Sequence, residues 1–161
     1  MIIGITKELA KREKRVALCP ENIKPFTDEG IEVWVQSEAG NAAGFLDSDF
    51  ESAGAKIITD RAQLFQVADI ILQVQSFGCN TDNYQQDLNM LRPDQLVIGM
   101  MDPLASPQAA QEVAKTGATA IALELVPRIS RAQSMDVLSS MATLAGYRSV
   151  LLGAEAAPRI L

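Results

Sequence analysis

The sequence predicts an α/β fold: a mostly parallel sheet with helices on both faces, ending in a long helix. Three observations carry this. Short runs rich in apolar and β-branched residues, such as Ile2–Ile5, Ala68–Val74 and Gln95–Met100, fit strands buried on both faces. Segments opened by proline or aspartate and closed by glycine read as short helices between them. The two kinds alternate at short spacing, the pattern of successive strand–helix–strand units.

Taken in order, Ile2–Ile5 is the first strand, bounded by a charged loop. Pro20 opens a helix that stops at Gly30. A proline early in a helix is tolerated because its missing N–H would lack a partner there anyway, but Pro25 inside the segment shortens or kinks it. Ile31–Val35 alternates into a second strand. The small-residue stretch Glu38–Phe45 reads as a turn before a helix around Ser48–Ala53, or as a loop that lets a ligand approach the backbone. Lys56–Thr59 is a strand, and Asp60 is the N-cap of the helix that follows. Ala68–Val74 is the strongest strand signal in the first half, followed by a polar loop, Ser76–Asp82, and a helix near Tyr84–Leu91. Pro93 and Asp94 turn the chain into the strand Gln95–Met100, which Asp102-Pro103 ends. Pro107 starts a helix through Lys115, Gly117 closes it, and Thr119–Leu125 is the last strand. The arrangement is Rossmann-like, of the flavodoxin-like kind. Residues 1–134 are expected to form this domain, and 135–161 a long helix leading out of it.

The 161 residues suffice for one domain with a proper core, close to the usual size of roughly 100 to 150 residues. A hydrophobic fraction of 48% with 21% charged residues excludes disordered and collagen-like classes. The net charge of −6, with no basic stripe, argues against nucleic acid or lipid as a direct partner. Cys19 and Cys79 lie far apart without CxxC spacing, which points to a reducing, cytoplasmic setting. Met1 runs straight into a strand without a signal-peptide pattern, and no apolar stretch approaches the roughly 18 residues that span a bilayer. Because there is no histidine, this chain contains neither a histidine-ligated metal site nor a histidine general base.

The functional information concentrates between Glu124 and Arg148. A loop holding Arg128, Ser130, Arg131, Gln133 and Ser134 follows a strand and feeds a helix N-terminus, where unpaired N–H groups and the helix dipole favour ligands. In that helix Val137, Leu138, Met141, Leu144, Ala145, Val150, Leu151 and Leu152 form an apolar sector expected to be buried. Asp136, Ser139, Ser140, Thr143 and Tyr147 recur at spacings of three and four, so at about 100° per residue they share one face. A solvated helix face is the plainer reading of that spacing. Beside it stands a second: Arg128, Gln133, Asp136 and Ser139 gather a cation, an amide, a carboxylate and a hydroxyl suited to a carboxamide ring and its ribose. No nucleophile–base pair accompanies them, which suits hydride transfer between nicotinamide rings, a reaction needing alignment and exclusion of water. A phosphate cradle is missing, since neither GxGxxG nor GxxxxGK[ST] occurs.

The stretch ELVPRISRAQSMDVLSSMATLAGYR closely resembles a segment of the α subunit of proton-translocating NAD(P) transhydrogenases. IGITKEL and KRVALCP resemble the opening of the alanine dehydrogenase and transhydrogenase N-terminal domain, and AGNAAGF and the Asp69–Val74 strand also fit. The resemblance covers essentially the whole chain. It implies that Arg128, Asp136 and Ser139 contact the nicotinamide and ribose of NAD(H), with Gln133 nearer the NADP(H) of a partner β subunit and Tyr147 supporting the loop. Arg128, Gln133 and Asp136 would then act in catalysis. Arg131 stays open between a ligand contact and a solvated or capping role. The resemblance further implies a homodimer, tied to the membrane only through the rest of the enzyme. Alanine dehydrogenases resemble the chain at Arg15, which in them holds the substrate carboxylate. They also use a lysine where Gln75 stands and a histidine after the strand that ends near Asp102, so that activity would be crippled here. The family's glycine-rich NAD fingerprint lies beyond Leu161, so the chain reads as a piece of a longer protein. A non-catalytic regulatory or interaction module of the same fold is the alternative, and an alanine dehydrogenase-like oxidoreductase a further one.

Overall fold

The six strands of the sheet are β1 (Ile2–Ile5), β2 (Glu32–Gln36), β3 (Lys56–Ile58), β4 (Ile70–Gln75), β5 (Leu96–Met100) and β6 (Thr119–Ala122). They lie in the order β3-β2-β1-β4-β5-β6, and every pairing is parallel. In this computed structural model, which describes residues 1–158, the strands belong to a first compact unit, Met1–Ala122, and a second unit begins at Leu123. The chain starts in the middle of the sheet, with Ile3 beside both Val33 and Ile70. It winds outward to β3, returns to β4 and winds the other way, so the strand order reverses between β1 and β4.

The expected helices on both faces are present: α1 (Lys24–Asp28), α2 (Asp47–Ser52), α3 (Arg61–Val67), α4 (Tyr84–Leu88) and α5 (Pro107–Thr116). Phe50 of α2, with Phe26 of α1 against it, packs with Ile5, Val33 and Val35 on one face of the sheet. Phe65 of α3 and Ala109 and Val113 of α5 pack with Ile71 and Val97 on the other, and Leu88 of α4 joins them. Gly4 sets how close α3 can lie, because a Cβ there would stand 2.9 Å from the Ala68 Cβ and 3.1 Å from Leu64 Cδ1.

Two elements differ from the sequence expectation. The helix expected from Pro20 is split into a 3-10 turn, Pro20–Asn22, and α1, which carries Pro25 in its first turn. A continuous helix would place Pro25 where an N–H is needed, whereas a fresh start puts it where none is. The last strand stops at Ala122, and Leu123–Leu125 forms a 3-10 turn closed by the Val126 N–H on the Leu123 carbonyl at 3.2 Å. An apolar run does not mark where extended backbone ends.

The second unit continues with a 3-10 segment, Ser130–Met135, and α6 (Val137–Ala156). The burial expected for its apolar sector is not observed: α6 contains no buried residue, and Leu138, Leu144, Val150, Leu151 and Leu152 are exposed. Helical periodicity reports which side chains share a face and says nothing of whether another element covers it. No helix of the described residues is long and apolar enough to cross a membrane.

The interior also holds a charge pair that periodicity did not announce. Arg61, 7% exposed, donates to both carboxylate oxygens of Asp87, 2% exposed, at 2.7 and 2.6 Å. Its Nη1 reaches the Lys7 carbonyl and Gln36 Oε1, each at 2.8 Å, and Gln73 Nε2 donates to Asp87 Oδ2 at 2.6 Å. Breaking such a pair leaves an uncompensated buried charge. Asp87→Ala is therefore expected to lower stability by about 3–5 kcal/mol, read as a lower urea midpoint at constant slope. A loss below about 1 kcal/mol would mean that water reaches Arg61 as it does an exposed pair.

Candidate functional site

The loop between β6 and α6 gathers its polar residues through one helix cap. The first amides of a helix have no partner within it, and an aspartate with extended backbone just before the helix can accept from them. Asp136 does so: with φ −78° and ψ 92° it stands before α6, and Oδ1 accepts the Leu138 and Ser139 N–H groups, both at 3.0 Å. Its other oxygen accepts the Ser139 hydroxyl at 2.7 Å and Arg128 Nε at 3.3 Å. Arg128 Nη2 in turn donates to Ser139 Oγ at 2.9 Å, which closes a triangle of guanidinium, carboxylate and hydroxyl.

The exposures divide the labour within the triangle. The Asp136 side chain is only 9% exposed, and each of its oxygens already accepts two donors. The Arg128 side chain is 67% exposed, with only one edge of its fork engaged. Asp136 thus positions the other two, and Arg128 is the member that presents donors outward. The amide of Ser139 first, then its hydroxyl, hold the Asp136 carboxyl below the usual carboxylate range, with Arg128 and the Leu138 amide adding to the effect against partial burial.

Of the other residues singled out from the sequence, Gln133 lies in the 3-10 segment with its side chain exposed and outside the triangle. Its carbonyl accepts the Asp136 N–H at 3.4 Å. Arg131 is exposed in the same segment. Tyr147 is 69% exposed and two turns further along α6 than Ser139, so it does not join the triangle. The Ser140 and Thr143 hydroxyls donate back to the Asp136 and Ser139 carbonyls at 3.3 and 3.1 Å, so these two hydroxyls are spent on their own helix.

The first unit places Arg15 and Gln75 in quite different roles. Arg15 Nε and Nη2 bind the two oxygens of Glu13 at 2.8 and 2.6 Å, and the guanidinium holds that carboxyl below its usual range. Gln75 donates its backbone N–H to Glu8, whose other oxygen accepts the Val74 N–H at 2.6 Å. Glu8, Arg61 and Asp87 were not foreseen from the sequence. Arg61 follows the N-cap Asp60 and reads there as an ordinary exposed first-turn residue, and Glu8 reads as one charge among many.

The family model described as alanine dehydrogenase/PNT, N-terminal domain, matches residues 4–145. The NAD(P) transhydrogenase subunit alpha of Cereibacter sphaeroides is 36% identical over 151 residues, covering 94% of this chain and 28% of that protein. A transhydrogenase structure from Sinorhizobium meliloti superposes with a TM-score of 0.88 at 39% identity, covering 99% of this chain and 46% of the other. An L-alanine dehydrogenase structure gives a TM-score of 0.84 at 28% identity, over 96% of this chain and 40% of the other. The chain therefore spans less than half the length of these relatives.

The cap has a pH signature. Because the folded carboxyl titrates below its ordinary value, Asp136 contributes stability that is present above the unfolded value of about 3.9 and lost as pH falls through the lower folded value. The Ser139 amide resonance, followed by NMR, is expected to titrate with a midpoint below about 3.9 and to shift as the first turn of α6 frays. A midpoint at or above that value would show that the cap does not favour the ionised carboxyl over the protonated one.

Proposed function

The chain belongs to the alanine dehydrogenase/PNT N-terminal domain family, and we propose that it is the N-terminal part of the NAD(H)-binding component of an NAD(P) transhydrogenase. The observation that carries this reading is the Arg128–Asp136–Ser139 triangle at the start of α6. Its residues suit the nicotinamide and ribose end of NAD(H): Arg128 offers outward donors, Ser139 a hydroxyl, and Asp136 holds both in register. Gln133, exposed on the adjoining 3-10 segment, would lie nearer a facing NADP(H), and Tyr147 would support the loop from the helix face. When bound, NADH supplies the hydride that passes to NADP⁺. This chain's contribution is to orient the ring and keep water from it, work that requires no acid or base at the reacting carbons.

The residues present fit the nicotinamide end alone, since the sequence has no glycine-rich phosphate loop. The proposal therefore places the phosphate-binding part outside residues 1–161, beyond an α/β domain of residues 1–134 and the segment 135–161. It also places NADP on a partner β subunit, proton translocation in membrane parts of the complete enzyme, and the chain in a homodimer on the cytoplasmic side. Alanine dehydrogenase chemistry has less support, because Arg15 is engaged by Glu13, Gln75 is not a lysine, and the chain has no histidine.

In the complete enzyme with its partner subunit, Arg128→Ala is expected to slow hydride transfer by about a hundredfold, the cost of a misplaced reactant, with circular dichroism unchanged. An unchanged rate would remove the site assignment. The 161-residue chain alone is expected to bind NADH too weakly to saturate at micromolar concentrations in a fluorescence titration. Micromolar saturation would mean that these residues supply a phosphate site of their own.

A further inference from the structure

The chain carries six methionines, and they differ sharply in access. Met101 is 7% exposed, and Met90, Met100 and Met141 are half-buried, whereas Met135 is 56% exposed. Met1 is exposed as well, but it stands before β1 in the other unit. Met135 is the last residue of the 3-10 segment and directly precedes Asp136, the cap of α6. The two cysteines, the usual first targets of a peroxide, compete poorly. Cys19 and Cys79 are both half-buried, and burial first, then Glu21, pushes the Cys19 thiol up, away from the reactive thiolate. A thioether has no proton to lose before it reacts, so access to its sulfur decides its oxidation.

Oxidation at this position changes the chemistry beside the triangle. Hydrogen peroxide passes one oxygen to the Met135 sulfur: the O–O bond breaks, an S–O bond forms, the sulfur loses two electrons, and the second peroxide oxygen leaves as water. A flexible apolar side chain becomes a polar one that carries a strong hydrogen-bond acceptor. Arg128 holds unspent donors on the same loop, because its Nε and Nη2 bind Asp136 and Ser139 while Nη1 makes no hydrogen bond among the described residues. Asp136, which accepts from that guanidinium at 3.3 Å, follows Met135 across one peptide bond, with Cα atoms about 3.8 Å apart. The new acceptor is thus delivered beside a cation with donors to spare. We propose that Met135 is a modification site oxidised by peroxide, and that its sulfoxide oxygen takes up the outward donors of Arg128, a contact the thioether does not make. The consequence for rate rests on the transhydrogenase reading of the loop; the modification and the Arg128 contact do not.

The test treats the full chain with hydrogen peroxide and follows each methionine by peptide mass spectrometry. Met135 is expected to gain one oxygen at least about tenfold faster than the buried Met101. In the oxidised chain the Arg128 Cζ resonance, read by NMR, is expected to shift. In peroxide-treated Met135→Leu, a swap of nearly equal volume, it is expected to stay in place. In the complete enzyme, peroxide is expected to slow hydride transfer by about tenfold, the worth of one hydrogen bond to a charged group. A methionine sulfoxide reductase with a thiol reductant is expected to restore the rate, and Met135→Leu to resist the loss. Met135 oxidising no faster than Met101, an Arg128 resonance that does not move, or a Met135→Leu enzyme that loses as much activity as its parent would each overturn the proposal. If Arg128→Ala leaves the rate untouched, the nucleotide-site reading fails, and the mass and NMR results alone decide the modification.

Discussion

The paired burial of Arg61 and Asp87 is the constraint on which the carboxyl edge of the sheet depends. A guanidinium out of water must be matched in charge and in hydrogen bonds, or it costs several kcal/mol. Meeting that demand draws in the chain after β1 through the Lys7 carbonyl, the end of β2 through Gln36, and α4 through Asp87. Gln73 then ties β4 to the same carboxylate. Strands on both sides of the reversal in strand order are locked to one another by a single side chain carried on α3.

That edge is where doubly wound sheets usually take a ligand, in the crevice where the strand order reverses. Here a side chain of the protein reaches across between β1 and β4. Glu8, from the loop after β1, accepts the Val74 and Gln75 backbone N–H groups at the end of β4. Burial pushes the Glu8 carboxyl above its usual range despite those two hydrogen bonds, with Glu13 acting in the same direction and Arg61 opposing it. In the second unit, polar residues gather at the start of α6, where the cap does the assembling. One carboxylate satisfies the helix amides and at the same time orients Arg128 and Ser139. Capping the helix and orienting Arg128 and Ser139 are the same set of bonds, so a change that removes the carboxylate disturbs both.

Much of this was legible in the sequence, and for identifiable reasons. Strand runs, glycine stops and the Asp60 cap are local signals: their physics is settled within a few residues, and the structure follows them. The 3-10 segment Ser130–Met135 and the split at Pro25 were less legible, because short helical turns depend on which hydrogen bonds compete locally. The spacing of Asp136 and Ser139 put them on one face, and the structure joins them by a 2.7 Å bond. The same spacing counted Ser140 and Thr143 as equals, whereas their hydroxyls turn back to the helix. The unpartnered amide oxygen of Asn80 had no sequence signal at all, since nothing in NTDN distinguishes a buried asparagine from a solvated one.

By itself the sequence determined the α/β class, the alternation of its elements, the absence of a phosphate loop and the motif that ties the chain to its relatives. These are properties of composition and short-range order, and no later folding step changes them. Only the tertiary structure decided the strand order, the pairing of Arg61 with Asp87, the engagement of Arg15 by Glu13 and the reach of Glu8 to the Val74 and Gln75 amides. Each of those joins residues whose encounter depends on how the strands stack and how deeply each side chain is buried. A charge in sequence has no environment until the fold supplies one, and it is the environment that makes Glu8 a tie to β4 and Asp136 a cap.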